Sequence, residues 1–423
     1  MNEVIERKYA RLLLEVGVGL KVGQKLVVAA EPYHWDFLVL LTDEAYKMGA
    51  SYVLVEATDS RMTEARVVHG AKENLGDVLG WVEKKNECLI SEGWARLSFF
   101  GPTDPDLMGA LDGGRLGLIQ RAASISGKPV SEACGSGEMA WCVAALPTPK
   151  WAAKVFKEEA TADNSADLVQ SLWGEMVKIL SLDDENPSAV WKKKGETLHA
   201  RCAKLMKLNL RSVKFTGPGT DLTVGCFEDA KWIGGGIVRP DGSGFIPNLP
   251  TEECFTTPDM RATEGRAQVV RPVNVLGQSV EGAWFVFKEG KVVEYGAEKN
   301  KETLDRYFDM CPQAALLGEL ALVDGSSPIY QSGHVYECIL YDENASCHVA
   351  LGNGYAMAVP GGLEMSKEEK LENGVNVSLV HTDFMIGGPE VDVTGYDAEG
   401  KEFPLIRGGD FVLDGSLYNL LSK

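Results

Sequence analysis

The hydrophobic pattern of this chain changes once, near residue 210, and this change constrains the fold more than any single motif does. Before it, apolar residues form short continuous runs, such as KLVVAA at 25–30 and SYVLVEA at 51–57, separated by stretches with helical spacing. Such runs with helices between them are typical of a parallel sheet that is buried on both faces. We therefore predict an α/β domain with a mostly parallel sheet over residues 1–210, ending in a helical extension from about 149. The same patterns predict strands at 96–101 and 141–147 and a helix at 106–126.

From residue 212 onward, apolar and polar residues alternate in short segments that are bounded by Gly and Asp turns. The segments FKEGKV at 287–292 and YDAEGKE at 396–402 have the composition of hairpins. A helical pattern covers Lys301–Met310. We predict a β-rich α+β domain over residues 211–423.

Charge and cysteine content exclude several classes of function. The 423 residues carry a formal net charge of −19, which argues against binding to nucleic acids or to anionic membranes. No segment approaches the roughly 18 consecutive apolar residues of a membrane span, and the N-terminus is not a secretory signal, so we predict a cytoplasmic location. Nine cysteines without a CxxC pair fit neither a disulfide framework nor a structural zinc knuckle.

Common catalytic motifs are missing from the sequence. No GxGxxG follows a strand of the α/β half, and no GxxxxGK[ST] occurs, which argues against nucleotide binding. There is no GxSxG and no HExxH, which argues against a serine hydrolase and excludes a thermolysin-like zinc site.

Potential metal ligands are concentrated in the second half. His381 and Asp383 lie two residues apart in VSLVHTDF, so their side chains lie on the same side of a strand and form half of a metal site. Glu319 lies in the apolar run LLGELALV, where a buried carboxylate is costly unless it is paired or bound to a metal. These three residues point to a metal site in the β-rich half.

Three further residues allow ordinary interpretations as well as functional ones. His348 in ENASCHVALGNGY is either a ligand or a hydrogen-bonded core histidine, and Tyr355 is either an active-site residue or a core tyrosine. Glu253 in IPNLPTEE is either a ligand or a surface acid that follows Thr251.

These segments resemble peptidase family M29, the thermophilic-type metalloaminopeptidases that include aminopeptidases T and S and PepS. The resemblance covers the whole chain and is strongest in IPNLPTEECFTTPD, LLGELALVDGSSPI, YDENASCHVALGNGY and VHTDFMIGGPEVDVTG. It implies an α/β N-terminal domain, a C-terminal domain with the metal site, homodimers that enclose their active sites, and short peptides as substrates. It assigns an active-site tyrosine to Tyr355 and the metal ligands to Glu253, Glu319, His348, His381 and Asp383.

Five ligands exceed the roughly three that a catalytic zinc takes from the protein, and they suit two divalent ions about 3.5–4 Å apart. We expect Glu319 to bridge the ions, with Glu253 and His348 on one and with His381 and Asp383 on the other. The ligand types accept Zn, Co, Mn or Mg.

The predicted reaction is the release of N-terminal amino acids by a metal-activated water molecule. Tyr355 would donate a hydrogen bond to the oxyanion, and Glu253 or Glu319 would carry a proton to the leaving amine.

Three other functions are also compatible with the sequence at this point. A non-peptidase amide hydrolase would use the same ligands. A mononuclear-iron, ring-cleaving dioxygenase would use His348, His381 and Asp383 alone, leaving Glu253 and Glu319 without a function. A non-catalytic binding protein would need none of these residues.

Overall fold

The structure is a computed structural model, and it describes residues 2–239 and 242–421. Its first part alternates strands and helices. In chain order the elements are α1 (Glu3–Leu12), β1 (Lys25–Ala30), α2 (Trp35–Lys47), β2 (Tyr52–Ala57), α3 (Ser60–His69), α4 (Lys72–Leu75), α5 (Gly80–Ser91), β3 (Ala95–Phe100), α6 (Gly113–Gly135), β4 (Trp141–Ala145), α7 (Pro149–Phe156), α8 (Ser165–Ile179) and α9 (Pro187–Leu208).

The four strands of this part form one parallel sheet in the order β2-β1-β3-β4. Its central strand β1 is the apolar run KLVVAA, in which Leu26, Val27 and Val28 are buried. A strand buried on both faces needs apolar residues at successive positions, which explains why the run is continuous. The prediction of an N-terminal α/β domain with a parallel sheet is confirmed.

The helix predicted at 106–126 is wrong in its bounds. The helix α6 begins at Gly113, where the side chain of Asp112 caps it by accepting a hydrogen bond from the backbone N–H of Arg115 at 2.8 Å. It continues through Pro129 to Gly135. The apolar residues at 107–111 imitate helical spacing, but they lie in an irregular segment with one short 3₁₀ turn.

The second part is β-rich. In chain order its elements are β5 (Ser212–Gly217), β6 (Thr220–Cys226), β7 (Ile237–Val238), β8 (Gly244–Phe245), β9 (Cys254–Thr256), β10 (Pro258–Gln268), β11 (Val273–Val275), β12 (Gln278–Val280), β13 (Trp284–Lys288), β14 (Lys291–Gly296), α10 (Lys301–Asp309), β15 (Leu317–Leu322), α11 (Pro328–Gln331), α12 (Ile339–Asp342), β16 (His348–Gly352), α13 (Lys367–Glu372), β17 (His381–Met385), β18 (Asp392–Tyr396), β19 (Glu402–Arg407), β20 (Asp410–Phe411) and α14 (Leu417–Leu421). Both predicted hairpins are present, as β13–β14 and β18–β19.

Two antiparallel sheets organise this part. The larger has the order β14-β13-β10-β6-β5-β18-β19-β20, and the smaller has the order β17-β16-β15-β9. Buried side chains from both sheets belong to one hydrophobic cluster. Within it, the rings of Phe285 on β13 and Phe384 on β17 lie 4.8 Å apart, centroid to centroid. The smaller sheet therefore packs one face on this core, and its other face is left for polar residues.

By internal contacts the chain divides into two compact units. The first contains Met1–Lys192 and Gly236–Leu249, and the second contains Lys193–Gly235 and Pro250–Lys423. This division lies within α9, whereas the sequence-based boundary is at residue 210. In the described ranges, no helix is both long and apolar enough to cross a membrane.

Candidate metal centre

The polar face of the small sheet carries the predicted ligands. Side chains alternate between the two faces of a strand. On β16, Val349 points into the core cluster, so its neighbour His348 points to the other face. On β17, Phe384 points into the core, and His381 and Asp383 point away from it. The prediction that these last two residues share a face agrees with this register.

A β-bulge brings Glu319 onto the same face. The pairing of β15 with β16 slips by one residue between Leu317 and Glu319, so Gly318 is the additional residue. A Cβ at Gly318 would collide with the carbonyl oxygens of Gly352 and Asn353, at the end of β16, so only glycine fits there. After the bulge, Glu319 is opposite Ala350, which is in turn opposite Asp383. The small side chain of Ala350 leaves room between the two carboxylates.

The side chains form two groups of three that share one member. Within each group the potential ligand atoms all lie within 4.8 Å of one another. The groups are Glu253 with Glu319 and His348, and Glu319 with His381 and Asp383. The three carboxylates and the imidazole of His348 are buried, whereas the ring of His381 is 24 % exposed. Each group therefore offers three oxygen or nitrogen donors, and Glu319 belongs to both.

Backbone carbonyl groups fix the orientation of both imidazoles. The Nδ1–H of His348 donates to the carbonyl oxygen of Ser346 at 3.2 Å, and the Nδ1–H of His381 donates to that of Asn353 at 2.7 Å. Because each ring donates through Nδ1, the neutral form has its lone pair on Nε2. Such partners orient metal-binding histidines in many proteins.

The Nε2 lone pairs are directed toward carboxylate oxygens. Nε2 of His348 lies 3.2 Å from Oε2 of Glu253, and Nε2 of His381 lies 3.2 Å from Oε2 of Glu319 and 3.4 Å from Oδ1 of Asp383. Among the described residues, Oε2 of Glu253 and Oδ1 of Asp383 are buried and have no partner in hydrogen-bond geometry. A lone pair facing a carboxylate requires a proton or a cation between them. The donor set therefore fits divalent cations bound by oxygen and imidazole nitrogen.

The pKa values of these groups show how strongly negative charge is concentrated here. Burial, together with the neighbouring carboxylates, raises the pKa of Glu319 to about 7. Burial opposes the charging of His348, but its contact with Glu253 outweighs this effect and raises its pKa to about 10. Burial disfavours ionised Asp383, but the adjacent His381 lowers its pKa below the usual value. Bound cations would relieve the same repulsion.

Tyr355 lies at the rim of the centre. The residue is 37 % exposed, and its hydroxyl oxygen lies 3.4 Å from Nε2 of His381. The ring is flanked by Phe255 and His381, each with a centroid distance of 5.2 Å. The structure thus brings all six predicted site residues together in the second unit.

Sequence reasoning missed Glu343. Its side chain is 9 % exposed, and burial together with the charges of Glu253 and Asp383 raises its pKa well above the usual value. It precedes His348 in the polar run YDENASCH, which resembles a surface loop and contains no periodic signal of burial. Its neighbour in the polar run, Asn344, is also buried, and the side-chain oxygen of Asn344 accepts a hydrogen bond from the backbone N–H of Glu252 at 2.7 Å.

Glu252 has a different role from the adjacent Glu253. One of its carboxylate oxygens accepts a hydrogen bond from Nζ of Lys194 at 2.7 Å, and both side chains are almost fully buried. This ion pair holds the loop before β9, and the loop in turn positions Glu253.

Comparison with known proteins identifies the class. The model of the family described as thermophilic metalloprotease (M29) matches residues 3–411. Aminopeptidase T of Thermus aquaticus is 38% identical over 410 residues, covering 96% of this chain and 98% of the relative. Aminopeptidase PepS of Streptococcus thermophilus is 33% identical over 406 residues, covering 96% and 97%.

A solved structure agrees with these sequence matches. Wild-type AmpT from Thermus thermophilus is similar with a TM-score of 0.88 and 35% identity, covering 96% of this chain and 99% of that chain. The chain therefore belongs to the thermophilic metalloprotease (M29) family. The predicted family and the predicted enzyme class, a metal-dependent hydrolase, are confirmed.

Proposed function

We propose that this chain is a dinuclear, metal-dependent aminopeptidase that releases N-terminal amino acids from short peptides. The aminopeptidase reaction is supported by the relatives that match over nearly the full chain, which are named aminopeptidases. The dinuclear form is supported by one observation above all. Glu319 belongs to both groups of potential ligands, one with Glu253 and His348 and one with His381 and Asp383.

In this proposal the centre lies on the polar face of the small sheet. Glu253 and His348 would hold one cation, His381 and Asp383 would hold the other, and Glu319 would contact both. The ions would be Zn, Co, Mn or Mg. When bound, they would supply Lewis acidity for polarising the scissile carbonyl and for lowering the pKa of a water molecule.

Tyr355 would donate its hydroxyl proton as a hydrogen bond to the oxyanion of the tetrahedral intermediate. Desolvation of the hydroxyl group, together with the adjacent carboxylates, first that of Glu319, raises the pKa of Tyr355 well above the usual value, so the hydroxyl stays protonated and remains a donor. Its position at the partly exposed rim lets this hydroxyl reach a substrate carbonyl.

A buried carboxyl with a raised pKa is suited to proton transfer at neutral pH. The pKa shifts of Glu319, to about 7, and of Glu343, well above its usual value, make both groups candidates. As in the sequence-based prediction, the shuttle would be Glu253 or Glu319, and the buried Glu343, whose pKa is affected by the charges of both, is a further candidate. The shuttle would take a proton from the attacking water and pass it to the leaving amine.

A mononuclear dioxygenase is less consistent with this geometry. Such a site would use two histidines and one aspartate around one ion. Here His348 and His381 belong to different groups, and Glu319 belongs to both.

The family resemblance also motivates finer proposals. We propose that the chain acts as a homodimer in the cytoplasm, with short peptides reaching an enclosed site.

A substrate panel tests the proposed function. With each metal supplied in turn, free dipeptides and aminoacyl amides should be hydrolysed from the N-terminus, whereas N-acetylated versions should react at least about a hundredfold more slowly, because a free amine would meet the cations or their carboxylates. Hydrolysis of free and blocked amides at equal rates would contradict the aminopeptidase assignment and favour a general amide hydrolase.

Replacing Tyr355 by phenylalanine tests the oxyanion role. We expect kcat to fall about a hundredfold, as when one oxyanion donor is lost, with KM and bound metal little changed. Steady-state kinetics and metal analysis provide the measurement. Full kcat in Y355F would show that the hydroxyl is not an oxyanion donor.

A further inference from the structure

Thr257 lies directly behind Tyr355. It is the second residue after Phe255 and immediately follows β9, and its side chain is fully buried. Its hydroxyl oxygen accepts a hydrogen bond from the backbone N–H of Tyr355 at 2.8 Å. The same hydroxyl donates to the backbone carbonyl oxygen of Tyr355 at 3.1 Å. One side chain therefore binds both polar backbone groups of one residue.

This arrangement restricts how the tyrosine can move. Fixing the N–H and the C=O of Tyr355 limits rotation about both of its backbone dihedral angles, which are −94° and 102°. Those angles set the direction of the Cα–Cβ bond and so the path of the phenol ring. On the preceding residue, the N–H of Gly354 donates to the carbonyl oxygen of Asn376 at 2.9 Å. The backbone of Gly354 and Tyr355 is thus held by hydrogen bonds, while the ring of Tyr355 extends to the partly exposed rim of the centre.

Thr257 and a candidate metal ligand flank the same short strand. Glu253 immediately precedes β9 and Thr257 immediately follows it, with only Cys254–Thr256 between them. The strand is fixed by its pairing with β15, where Thr256 is opposite Leu320, the neighbour of Glu319. A short paired strand is a rigid base, and positioning to within about 0.5 Å needs such a base.

We propose that Thr257 is a positioning residue that holds the Tyr355 hydroxyl at the distance from the centre that oxyanion stabilisation requires. This inference rests on the proposed function of Tyr355. Thr257 itself touches no reacting atom. In this proposal Thr257 affects catalysis only by fixing the backbone of Tyr355. If the phenol hydroxyl is removed, the hydroxyl of Thr257 should therefore have no further effect on kcat.

The main variant is Thr257→Val, which removes the hydroxyl and keeps the branched shape. We expect kcat to fall about 10- to 100-fold, with KM within about twofold and metal content unchanged, because a displacement of about 1 Å can cost that much in rate. Thr257→Ser keeps the hydroxyl, and its kcat should stay within about threefold of the wild type.

Thr256 provides a matched control. It is also fully buried, and its hydroxyl has no hydrogen-bond partner among the residues that the structure describes. Thr256→Val makes the same chemical change one residue away, and it should leave kcat within about threefold of the wild type. If Thr257→Val does not fold, Thr257→Ala and Thr257→Ser make the comparison instead, since these two variants differ only by the hydroxyl.

A second readout does not depend on turnover. Amide hydrogen exchange at Tyr355 should be faster in Thr257→Val than in the wild type, in protein with and without metal, and it should be unchanged in Thr256→Val. The reason is that Thr257→Val removes the hydroxyl oxygen that accepts the hydrogen bond from the backbone N–H of Tyr355.

The double variant Thr257→Val with Tyr355→Phe tests whether Thr257 acts through Tyr355. If Thr257 acts through Tyr355, the double variant has the kcat of Tyr355→Phe alone. If the two losses multiply, or if Thr257→Val keeps full kcat while Tyr355→Phe loses it, the positioning role is wrong and the proposed function stands. If Tyr355→Phe itself keeps full kcat, the proposed role of the tyrosine fails first and the positioning role fails with it.

Discussion

The Glu319→Gln variant is expected to lose kcat/KM for a free dipeptide by a factor on the order of 10³ or more, together with at least one of two bound cations. Glutamine keeps the size of the side chain but removes the charge that both ligand groups share. Changes in residues that merely support a ligand commonly cost 10- to 100-fold, so the loss of a shared ligand should cost more. Metal analysis after gel filtration and steady-state kinetics are the measurements.

Misfolding is not expected to cause this loss. Without metal, the wild-type chain keeps Glu319 buried beside Glu253 and Asp383, where like charges repel one another. Burial and these charges outweigh the contact of Glu319 with His381 and raise the pKa of Glu319 to about 7, so the folded state disfavours its charged form, and the neutral glutamine should leave the metal-free variant at least as stable as the metal-free wild type. Glu294 on β14 is exposed and provides a matched control, since Glu294→Gln should change neither metal content nor rate. Two bound cations and full activity in Glu319→Gln would refute the shared ligand.

Removal of divalent cations by a chelator is expected to abolish hydrolysis, with a decrease to background that addition of Zn, Co, Mn or Mg reverses. In the proposed reaction the cations would supply the Lewis acidity that polarises the scissile carbonyl and lowers the pKa of the attacking water, so their removal takes away the main source of catalysis. Rate should return as the second equivalent of metal binds, because both ions would contribute to catalysis.

The same titration should raise thermal stability. Ligands that bind only the folded state stabilise it by about 2.7 kcal/mol at a hundred times their Kd. A thermal melt at increasing metal concentration, followed in parallel with hydrolysis, separates loss of structure from loss of chemistry. A chain that retains its activity with less than about one-tenth equivalent of bound metal would be incompatible with a metal-dependent reaction.

Several features of the centre could be predicted because local patterns encode them. The spacing of His381 and Asp383 on a strand sets a common face whatever the tertiary structure. Glu319 in an apolar run indicated a buried carboxylate, and it is 4 % exposed. The parallel sheet followed from continuous apolar runs such as KLVVAA for the same reason.

Other features depend on tertiary contacts and left no local signal. Glu343 is buried because a polar turn is covered by the rest of the unit, and nothing in YDENASCH distinguishes it from a surface loop. Thr257 binds the backbone of a residue 98 positions away, which no periodicity encodes. The start of α6 was predicted too early because the apolar spacing before Asp112 imitates a helix, whereas the cap at Asp112 decides where the helix begins.

Anomalous X-ray diffraction from crystals grown with cobalt or zinc would show whether two cations share Glu319. We expect two anomalous peaks about 3.5–4 Å apart. One should lie among Glu253, Glu319 and His348 and the other among Glu319, His381 and Asp383. A single peak held by His348, His381 and Asp383, or no peak at this face of the sheet, would contradict this expectation.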